Sequence, residues 1–257
     1  GNQSTATATV TVVDDVDPVA SAQNITIDLD ASGNASISTD DIDNGSSDAC
    51  GIASLSLSQT DFDCSHVGTN EVILTVTDVN GNQSTATATV TVVDDVDPTI
   101  TVLSSNATVE CDGSGNAVDL QAWLDSNGGA SATDACGPLV WSHDYNDGAM
   151  NDLCGATGSV SVTFTVTDGS NNSSTTTSTF TIVDTTAPVL TIPADYTAEC
   201  SDDHPMDAAT ATDNCDDDVS ITVEEETVAG SCAGNYTITR TFTATDDCGN
   251  ATSATQT

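Results

Sequence analysis

A verbatim internal repetition constrains the fold of this chain more than any other feature of its sequence. Residues 1–18 read GNQSTATATVTVVDDVDP, and residues 81–98 carry the same eighteen letters. The period is therefore 80 residues. Repetition at a fixed period is typical of tandem copies of one structural unit, so we expect an array of similar domains.

Weaker copies of other segments divide the chain into repeats. The segment VTDVNGN at 76–82 returns as VTDGSNN at 166–172 and as ATDDCGN at 244–250. We predict three repeats, at residues 16–95, 96–184 and 185–257. Residues 1–15 match the last strand of a preceding repeat, and the third repeat lacks its final strand. We therefore expect the natural polypeptide to continue in both directions.

The residue pattern inside the repeats indicates β-strands. Small or apolar residues alternate with Thr along 86–92, 160–166 and 237–244. A period of two is typical of a half-buried antiparallel sheet, and turn sequences rich in Asp, Asn and Gly separate the runs. The pattern predicts an all-β fold of tandem immunoglobulin-like antiparallel β-sandwiches in a linear array, each of about 80–90 residues.

One segment of the second repeat departs from this strand pattern. Leu120, Trp123 and Leu124 lie at i, i+3 and i+4 after Asp119, which predicts one or two helical turns. We interpret these turns as an apolar lid over the sandwich, and the alternative is a binding site.

The charge of the chain excludes several classes of partner. There are 40 acidic residues and a single basic one, Arg240, which gives a formal net charge of −39. Affinity for nucleic acid and for anionic membranes comes from Lys and Arg, so we expect neither nucleic-acid binding nor direct membrane insertion. Of the acids, 34 are Asp, which is frequent in turns and is a hard ligand for calcium. Nine cysteines indicate an oxidising, extracellular location.

Several recurring motifs resemble those of the hyalin (HYR) repeat family. They are the D-x-x-x-P opening at 14–18, the TDxC of the middle loop, and the closing TDxxGN followed by an alternating strand. They are most similar to the repeats strung in tandem in giant surface adhesins of Bacteroidota, including gliding-motility adhesins. The resemblance implies an immunoglobulin-like fold, secretion to the cell surface, an adhesive or stalk role and no enzymatic activity.

Alignment of the repeats with one another suggests how the cysteines pair. The predicted bridges within repeats are Cys50–Cys64, Cys136–Cys154 and Cys215–Cys232, with Cys200–Cys248 as a second bridge in the third repeat. Cys111 is left without a partner. We interpret it as a buried free thiol, and the alternative is an intermolecular link or a reactive thiol.

Acidic residues recur at the predicted junctions between repeats. The last strand must run from its TDxxGN turn toward the next linker, so the turn, the preceding linker and the middle loop fall at one end of a repeat. Crowded carboxylates need a cation, and calcium takes about six to eight oxygen ligands. The predicted calcium ligands are Asp15, Asp17, Asp48, Asp78 and Asn82 at the first junction, Asp95, Asp97, Asp134 and Asp168 at the second, and Asp184, Asp213 and Asp246 at the third. The third linker has lost its acidic pair, so we expect weaker binding there or none. The alternative is that these residues are solvated turn formers.

Together these features predict a structural stalk segment of a secreted cell-surface adhesin or filament, stiffened by calcium at its domain junctions. The expected partners are neighbouring repeats of the same chain, with a surface glycan or other cells as further partners. The alternative is a glycan- or cell-binding module of the same adhesin, for which the aromatic residues Trp123, Trp141 and Tyr145 are the candidate site. No catalytic motif recurs, so we expect no enzymatic activity.

Overall fold

Two compact units make up the part of the chain that the structure describes. The structure is a computed structural model that describes residues 1–148, 150–199, 207–231 and 234–257. The first unit contains residues 1–99, 133–140 and 167–174, and the second contains residues 100–132, 141–166 and 175–257. Two loops of the predicted second repeat are thus grouped with the first unit, and the predicted repeat boundaries stay a prediction.

The first unit is built on a four-stranded sheet. Its elements are β1 (Ile25–Asp28), β2 (Asn34–Ser36), α1 (Thr39–Ile42), β3 (Ile52–Leu57), β4 (Asp61–Asp63), a 3-10 helix (Cys64–His66), β5 (Gly68–Asp78) and β6 (Gln83–Val93). Strands β1, β6, β5 and β3 lie side by side in that order, and β2 pairs separately with β4. A tight turn with Gly81 at a left-handed φ of 96° joins β5 to β6.

Alternate side chains of β5 and β6 form one wall of the core in this unit. Val72, Leu74 and Val76 of β5 are fully buried, and the residues between them are partly or fully exposed. Apolar residues outside these two strands cover this wall: they are Leu29, Ile37, Ile42 and Phe62. Packing of a second layer on the sheet gives the sandwich that the alternation of residues predicts.

The remaining elements form one five-stranded sheet, one three-stranded sheet and two strand pairs. In chain order they are β7 (Thr99–Val102), β8 (Ala107–Glu110), α2 (Ala117–Asp125), a 3-10 helix (Asn127–Gly129), β9 (Ser131–Thr133), β10 (Val140–His143), β11 (Asn151–Asp152), β12 (Gly158–Thr167), β13 (Ser173–Val183), β14 (Val189–Thr191), β15 (Thr210–Thr212), β16 (Ser220–Ala229), β17 (Tyr236–Thr245) and β18 (Ala251–Gln256). The larger sheets have the orders β10-β12-β13-β8, with β11 beside β12, and β16-β17-β18. The pairs are β7–β9 and β14–β15.

Helix α2 covers the core of the second unit, in agreement with its interpretation as an apolar lid. The Trp123 ring lies 5.2 Å from the Phe164 ring and 5.5 Å from the Phe180 ring, measured between centroids. Its indole N–H donates to the carbonyl of Ser105 at 3.1 Å, so its polar atom is satisfied. The helix begins two residues before the predicted Asp119, because Asn116, with a φ of 51°, precedes its first turn.

The prediction of an all-β, immunoglobulin-like sandwich is confirmed, with a difference in the direction of two strand pairs. β1 pairs with β6 and β8 pairs with β13 in parallel, whereas the prediction was antiparallel throughout. The parallel arrangement arises because the chain crosses to the second layer after the first strand and returns through the long hairpin. The first strand then lies beside the last strand and runs in the same direction.

Residues 1–18 form no strand, although their sequence is identical to that of 81–98. Val10 and Val12 are 84% and 90% exposed, while the equivalent Val90 and Val92 of β6 are 0% and 1% exposed. Strand β6 lies between β5 and β1, and residues 1–18 have no such partners. A strand depends on neighbouring strands for its backbone hydrogen bonds, so two segments of identical sequence adopt different conformations.

Candidate functional site: acidic clusters and their cysteines

An Asp-x-Cys turn recurs three times and positions a cysteine in the same way each time. The Asp Oδ1 atom accepts a hydrogen bond from the cysteine backbone N–H: Asp48 from Cys50 (2.7 Å), Asp134 from Cys136 (2.7 Å) and Asp213 from Cys215 (2.8 Å). Asp forms such turns readily because its short side chain reaches the backbone two residues on. The turn therefore fixes the backbone of the cysteine relative to the carboxylate.

A second turn, at the end of each long hairpin, holds the preceding linker by its backbone. Asp78 Oδ1 accepts bonds from the backbone N–H groups of Asn80 (2.9 Å) and Asn82 (2.8 Å), and the Asn82 side chain donates to the carbonyl of Asp14 (3.4 Å). The equivalent side-chain amides make the same contact: Asn172 donates to Asp94 (3.0 Å) and Asn250 donates to Asp184 (3.1 Å). An asparagine therefore ties each linker to a turn.

In the part of the chain that the structure describes, these turns and linkers bring acidic side chains together in three clusters. The first cluster is Asp14, Asp48 and Cys50, the second is Asp94, Asp134 and Asp168, and the third is Asp184, Asp213 and Cys215. Within each cluster, one carboxylate oxygen or sulfur atom per residue lies within 4.8 Å of the others. The predicted ligands that the structure brings into these clusters are Asp48, Asp134, Asp168, Asp184 and Asp213.

The linker residue in the first two clusters lies one position earlier than predicted. Asp94 is buried and belongs to the second cluster, whereas Asp95 and Asp97 are exposed. Side chains alternate along β6, and Asp94 continues the inward positions of Val90 and Val92. The predicted ligands Asp15 and Asp17 of the first junction are likewise exposed, and they lie outside the first cluster.

The three remaining predicted ligands lie in the hairpin turns. Asp78 Oδ2 accepts a bond from the Asn82 side chain at 2.7 Å, and Asp246 Oδ2 accepts one from the Asn250 side chain at 2.9 Å. These side chains therefore make the bonds of turn formers, which is the alternative role that the sequence leaves open.

The donor that meets the linker carboxylate differs among the three clusters. Asn80 Nδ2 donates to Asp14 Oδ2 at 3.0 Å, and Ser170 Oγ donates to Asp94 Oδ2 at 3.1 Å. Cys248 occupies the equivalent turn position for the third cluster, and its sulfur is in a disulfide. Asp184 Oδ2 is buried there without a hydrogen-bond partner among the described residues.

Hydrogen bonds lower the pKa of the first linker and turn carboxyls. The backbone N–H of Val16 is the largest influence on Asp14, and together with the Asn80 side chain it helps to lower the Asp14 pKa. Burial acts to raise the pKa of Asp78, but the bonds from Asn82 and its turn outweigh burial, so this pKa is also lowered. Both carboxylates are stabilised in their charged form.

The pKa of Asp184 moves in the opposite direction. Burial is the largest cause of the increase, and the negative charges of Asp213, Asp246 and Glu110 add to it. The backbone N–H of Thr186 donates to Asp184 Oδ1 at 3.1 Å, which offsets the burial only in part. The third cluster thus contains a carboxylate whose negative charge the surrounding residues stabilise poorly.

Among the described residues, three disulfide bridges join cysteines that are far apart in the sequence. They are Cys64–Cys136, Cys111–Cys215 and Cys154–Cys248, with sequence separations of 72, 104 and 94 residues. Gly33 makes room for the first bridge, because a Cβ atom at this residue would lie 2.6 Å from the Cys64 sulfur. Its φ of 74° also favours glycine.

The predicted pairing of cysteines within repeats is wrong. Cys50 is free and Cys64 and Cys154 bind other partners, so the bridges Cys50–Cys64 and Cys136–Cys154 are not formed. Cys111, which we predicted to be a free thiol, is bonded to Cys215. The predicted bridges Cys215–Cys232 and Cys200–Cys248 are also wrong, because Cys215 pairs with Cys111 and Cys248 pairs with Cys154. Cys232 and Cys200 themselves lie outside the described residues.

Strand length explains why Cys50 and Cys64 do not meet. Cys50 lies near the end of β5, where the Val79 N–H donates to the Gly51 carbonyl at 3.1 Å. Cys64 lies near its start, where the Asn70 side chain donates to the His66 carbonyl at 2.7 Å. Strand β5 has 11 residues and spans about 35 Å, whereas a disulfide needs Cα atoms within about 7 Å.

Cys50 is exposed and is the free cysteine of the described residues. The hydrogen bond and negative charge of Asp14 are the largest causes that raise the pKa of its thiol, and the charges of Asp48 and Asp78 add to them. A raised pKa keeps the thiol protonated at neutral pH and therefore weakly nucleophilic.

Replacing Asp14 with Asn should make Cys50 more reactive. Removing this charge lowers the thiol pKa toward its ordinary value, so a larger fraction is thiolate at pH about 7.5, and alkylation accelerates by up to about tenfold for each unit of pKa. The rate of iodoacetamide labelling of the Cys50 peptide measures the effect. Asp15→Asn is the matched control, because it removes the same charge from an exposed neighbour. Equal rates in both variants would contradict the assignment to Asp14.

The aromatic residues proposed as a glycan site lie mostly in the core of the second unit. Trp123 is buried under α2, and Trp141 and Tyr145 are partly buried and pack against the same cluster. Glycan sites usually present exposed rings. The arrangement of these three side chains gives no support to the glycan-binding alternative.

Comparison with known proteins connects the chain to bacterial adhesins. It is 34% identical over 212 residues to the "Serine-rich adhesin for platelets" of Staphylococcus aureus strain MSSA476, and this match covers 76% of the chain and 9% of the relative. The protein of the same name in strain MRSA252 is 33% identical over 212 residues, with 76% of the chain and 15% of the relative covered. The chain therefore spans only a small part of these relatives. No family model matches the sequence, so membership of the HYR family stays a prediction.

Solved structures similar to the chain include cadherin ectodomains. Mouse cadherin-23 EC22-24 has a TM-score of 0.36 and 11% identity, covering 94% of this chain and 98% of that one. Protocadherin gamma B7 extracellular cadherin domains 1-4 has a TM-score of 0.33 and 13% identity, covering 94% and 76%. At these TM-scores the likeness supports no argument about function. Among the described residues, no helix is both long enough and apolar enough to span a bilayer.

Proposed function

We propose that the chain is a structural stalk segment of a secreted cell-surface adhesin. In this proposal its HYR-like repeats, of the kind found in giant surface adhesins of Bacteroidota, are held at their junctions by disulfides and by calcium. The observation that carries the proposal is the disulfide pattern. All three bridges among the described residues connect cysteines that fall in consecutive predicted repeats.

Covalent links between successive repeats suit a part that transmits tension. A bridge limits the separation of the segments it joins, and it stabilises the folded state by restricting the unfolded chain. Similarity to staphylococcal adhesins supports a location at the cell surface, where disulfides persist. The partners we propose are neighbouring repeats and, through the longer molecule, a surface ligand or another cell.

Calcium would supply the positive charge that the chain lacks. Its single basic residue, Arg240, donates to Glu225 at 3.0 Å and belongs to none of the three clusters. The residues that would hold calcium in the second cluster are Asp94, Asp134 and Asp168, and those in the third are Asp184 and Asp213. Two or three carboxylates with added water or backbone oxygens match the ligand preference of this cation.

Calcium should make the chain both more stable and more extended. At a free concentration about 100 times the dissociation constant, one site that exists only in the folded state contributes about 2.7 kcal/mol to stability. We expect a higher thermal midpoint and a larger radius of gyration by X-ray scattering with calcium than with chelator, at about 150 mM salt to screen the general charge.

Magnesium at the same concentration is the control, because its strict octahedral geometry disfavours sites made only of protein carboxylates. If scattering curves with calcium and with chelator coincide, calcium does not stiffen the chain. If magnesium reproduces the effect of calcium, the effect is general charge screening and the junction sites are not specific.

A further inference from the structure

The third cluster contains two buried carboxylate oxygens that lack a hydrogen-bond donor. They are Asp184 Oδ2 and Asp213 Oδ2, each shielded from solvent. Asp184 as a whole is only 9% exposed. No buried carboxylate oxygen of the first or second cluster is unpartnered in the described part of the chain. A buried charged oxygen without a partner costs free energy, so this site needs a ligand that the protein does not supply.

A single substitution in the hairpin turn accounts for the missing donor. The turn residue two positions after the turn Asp donates to the linker carboxylate in the other clusters: Ser170 Oγ meets Asp94 Oδ2 at 3.1 Å. In the third turn this position is Cys248, which is bonded to Cys154. The disulfide therefore takes the place of a hydrogen-bond donor. Asp184 Oδ2 is left buried in the cluster without a hydrogen-bond partner among the described residues.

Negative charges surround the Asp184 carboxylate. Asp213, Asp246 and Glu110 act electrostatically on Asp184. Glu110 adds charge, and both of its oxygens already accept hydrogen bonds: Oε1 from Thr185 and Thr186, and Oε2 from Thr185. Cys215 is also in the cluster, but its sulfur is in a disulfide and is a poor ligand for a hard cation.

We propose that Asp184 and Asp213 form the tightest calcium site of the chain, with Asp246 completing its negative environment. The ligands are hard carboxylate oxygens, which favour calcium over softer metals. This reverses the expectation from sequence, in which the loss of the acidic pair in the third linker indicated the weakest site. The inference rests on the calcium part of the proposed function and is independent of the stalk role.

Calorimetric titration of the whole chain with calcium chloride tests the site directly. At about 150 mM salt, Asp184→Asn and Asp213→Asn should each lower the affinity of the tightest site by at least about tenfold, because each removes a charged ligand. Asp94→Asn is the matched control, since it removes the equivalent linker carboxylate of the second cluster. It should leave the tightest site unchanged.

Two further variants exchange the donor between clusters. Ser170→Ala removes the hydroxyl that satisfies Asp94 Oδ2, and it should strengthen calcium binding at the second cluster. The double variant Cys154→Ala/Cys248→Ser introduces the hydroxyl at the third cluster, and it should weaken the tightest site by about tenfold, because the hydroxyl would donate to Asp184 Oδ2 and compete with the cation for that oxygen. Circular dichroism and mapping of the Cys111–Cys215 bridge confirm that each variant folds.

Three results would overturn the proposal. They are an unchanged tightest site in Asp184→Asn, an equal loss in Asp94→Asn, and a chain that binds no calcium while Asp184→Asn raises its thermal midpoint. The last result would mean that a proton shared by the carboxyls satisfies the cluster. A tight site that disappears in Asp184→Asn, combined with unchanged scattering on adding calcium, would uphold the site and contradict only the stiffening role.

Discussion

Replacing Cys111 and Cys215 together with serine should lower the free energy of unfolding of the second unit by about 4 to 5 kcal/mol. The bridge closes a loop with a sequence separation of 104 residues, and long loops lose the most entropy when they are closed. Both cysteines are also buried members of the core cluster that contains Trp123, so the two serine hydroxyls would be buried at a further cost. Guanidinium unfolding followed by tryptophan fluorescence measures the change.

Cys50→Ser is the control for this double variant. Cys50 is exposed and makes no disulfide, so its replacement should change the stability by less than about 0.5 kcal/mol. The prediction fails if the double variant unfolds at the same denaturant concentration as the parent chain. Alkylation of Cys111 in the native parent would also contradict the pairing.

A tandem chain made by placing residues 1–80 ahead of residue 1 should convert Cys50 from a free thiol into a disulfide. Because 1–18 and 81–98 are identical, the new joint has the native sequence. Cys50 lies in the same Asp-x-Cys turn as Cys136, which pairs with Cys64. Cys64 of the added copy is therefore the expected partner of the original Cys50.

Alkylation and peptide mass mapping distinguish the outcomes in the tandem chain. The added copy has Cys50→Ser, so that the original Cys50 is the one observed. Its labelling should be complete in the single chain and absent in the tandem chain. Replacing Cys64 of the added copy with serine should restore labelling. Labelling that is equal in all three chains would show that the turn does not determine the pairing.

The class of fold could be predicted because the alternation along β5 and β6 is a local property of the sequence. Val72, Leu74 and Val76 are the buried positions of one face, as a period of two requires. The parallel pairing of β1 with β6 could not be predicted in the same way, because it depends on the path of the chain between two layers. Likewise, residues 1–18 form no strand because no strand of the described residues lies beside them. A local sequence pattern carries no information about such partners.

The acidic clusters could be located by reasoning about which end of a repeat each loop occupies. The same reasoning, applied to Cys50 and Cys64, would have placed them at opposite ends of β5 and excluded their pairing. Alignment of the repeats hid this, because it suggested the same pairing inside every repeat, whereas the bridges join non-equivalent cysteines of successive repeats, such as Cys64 and Cys136. The unpartnered Oδ2 atom of Asp184 could not be predicted, because it depends on whether the Cys248 side chain donates a hydrogen bond or forms a disulfide, as it does with Cys154.

The parallel pairing of β1 with β6 has a mechanical consequence. Residues 25–28 pair with residues 90–93 through the first and last strands of the first sheet. A pull that draws the start of β1 and the end of β6 apart slides these strands along each other. The backbone hydrogen bonds between them are then loaded in shear and share the force, whereas a hairpin pulled open from its free end breaks its bonds one at a time. The order of strands itself therefore resists extension.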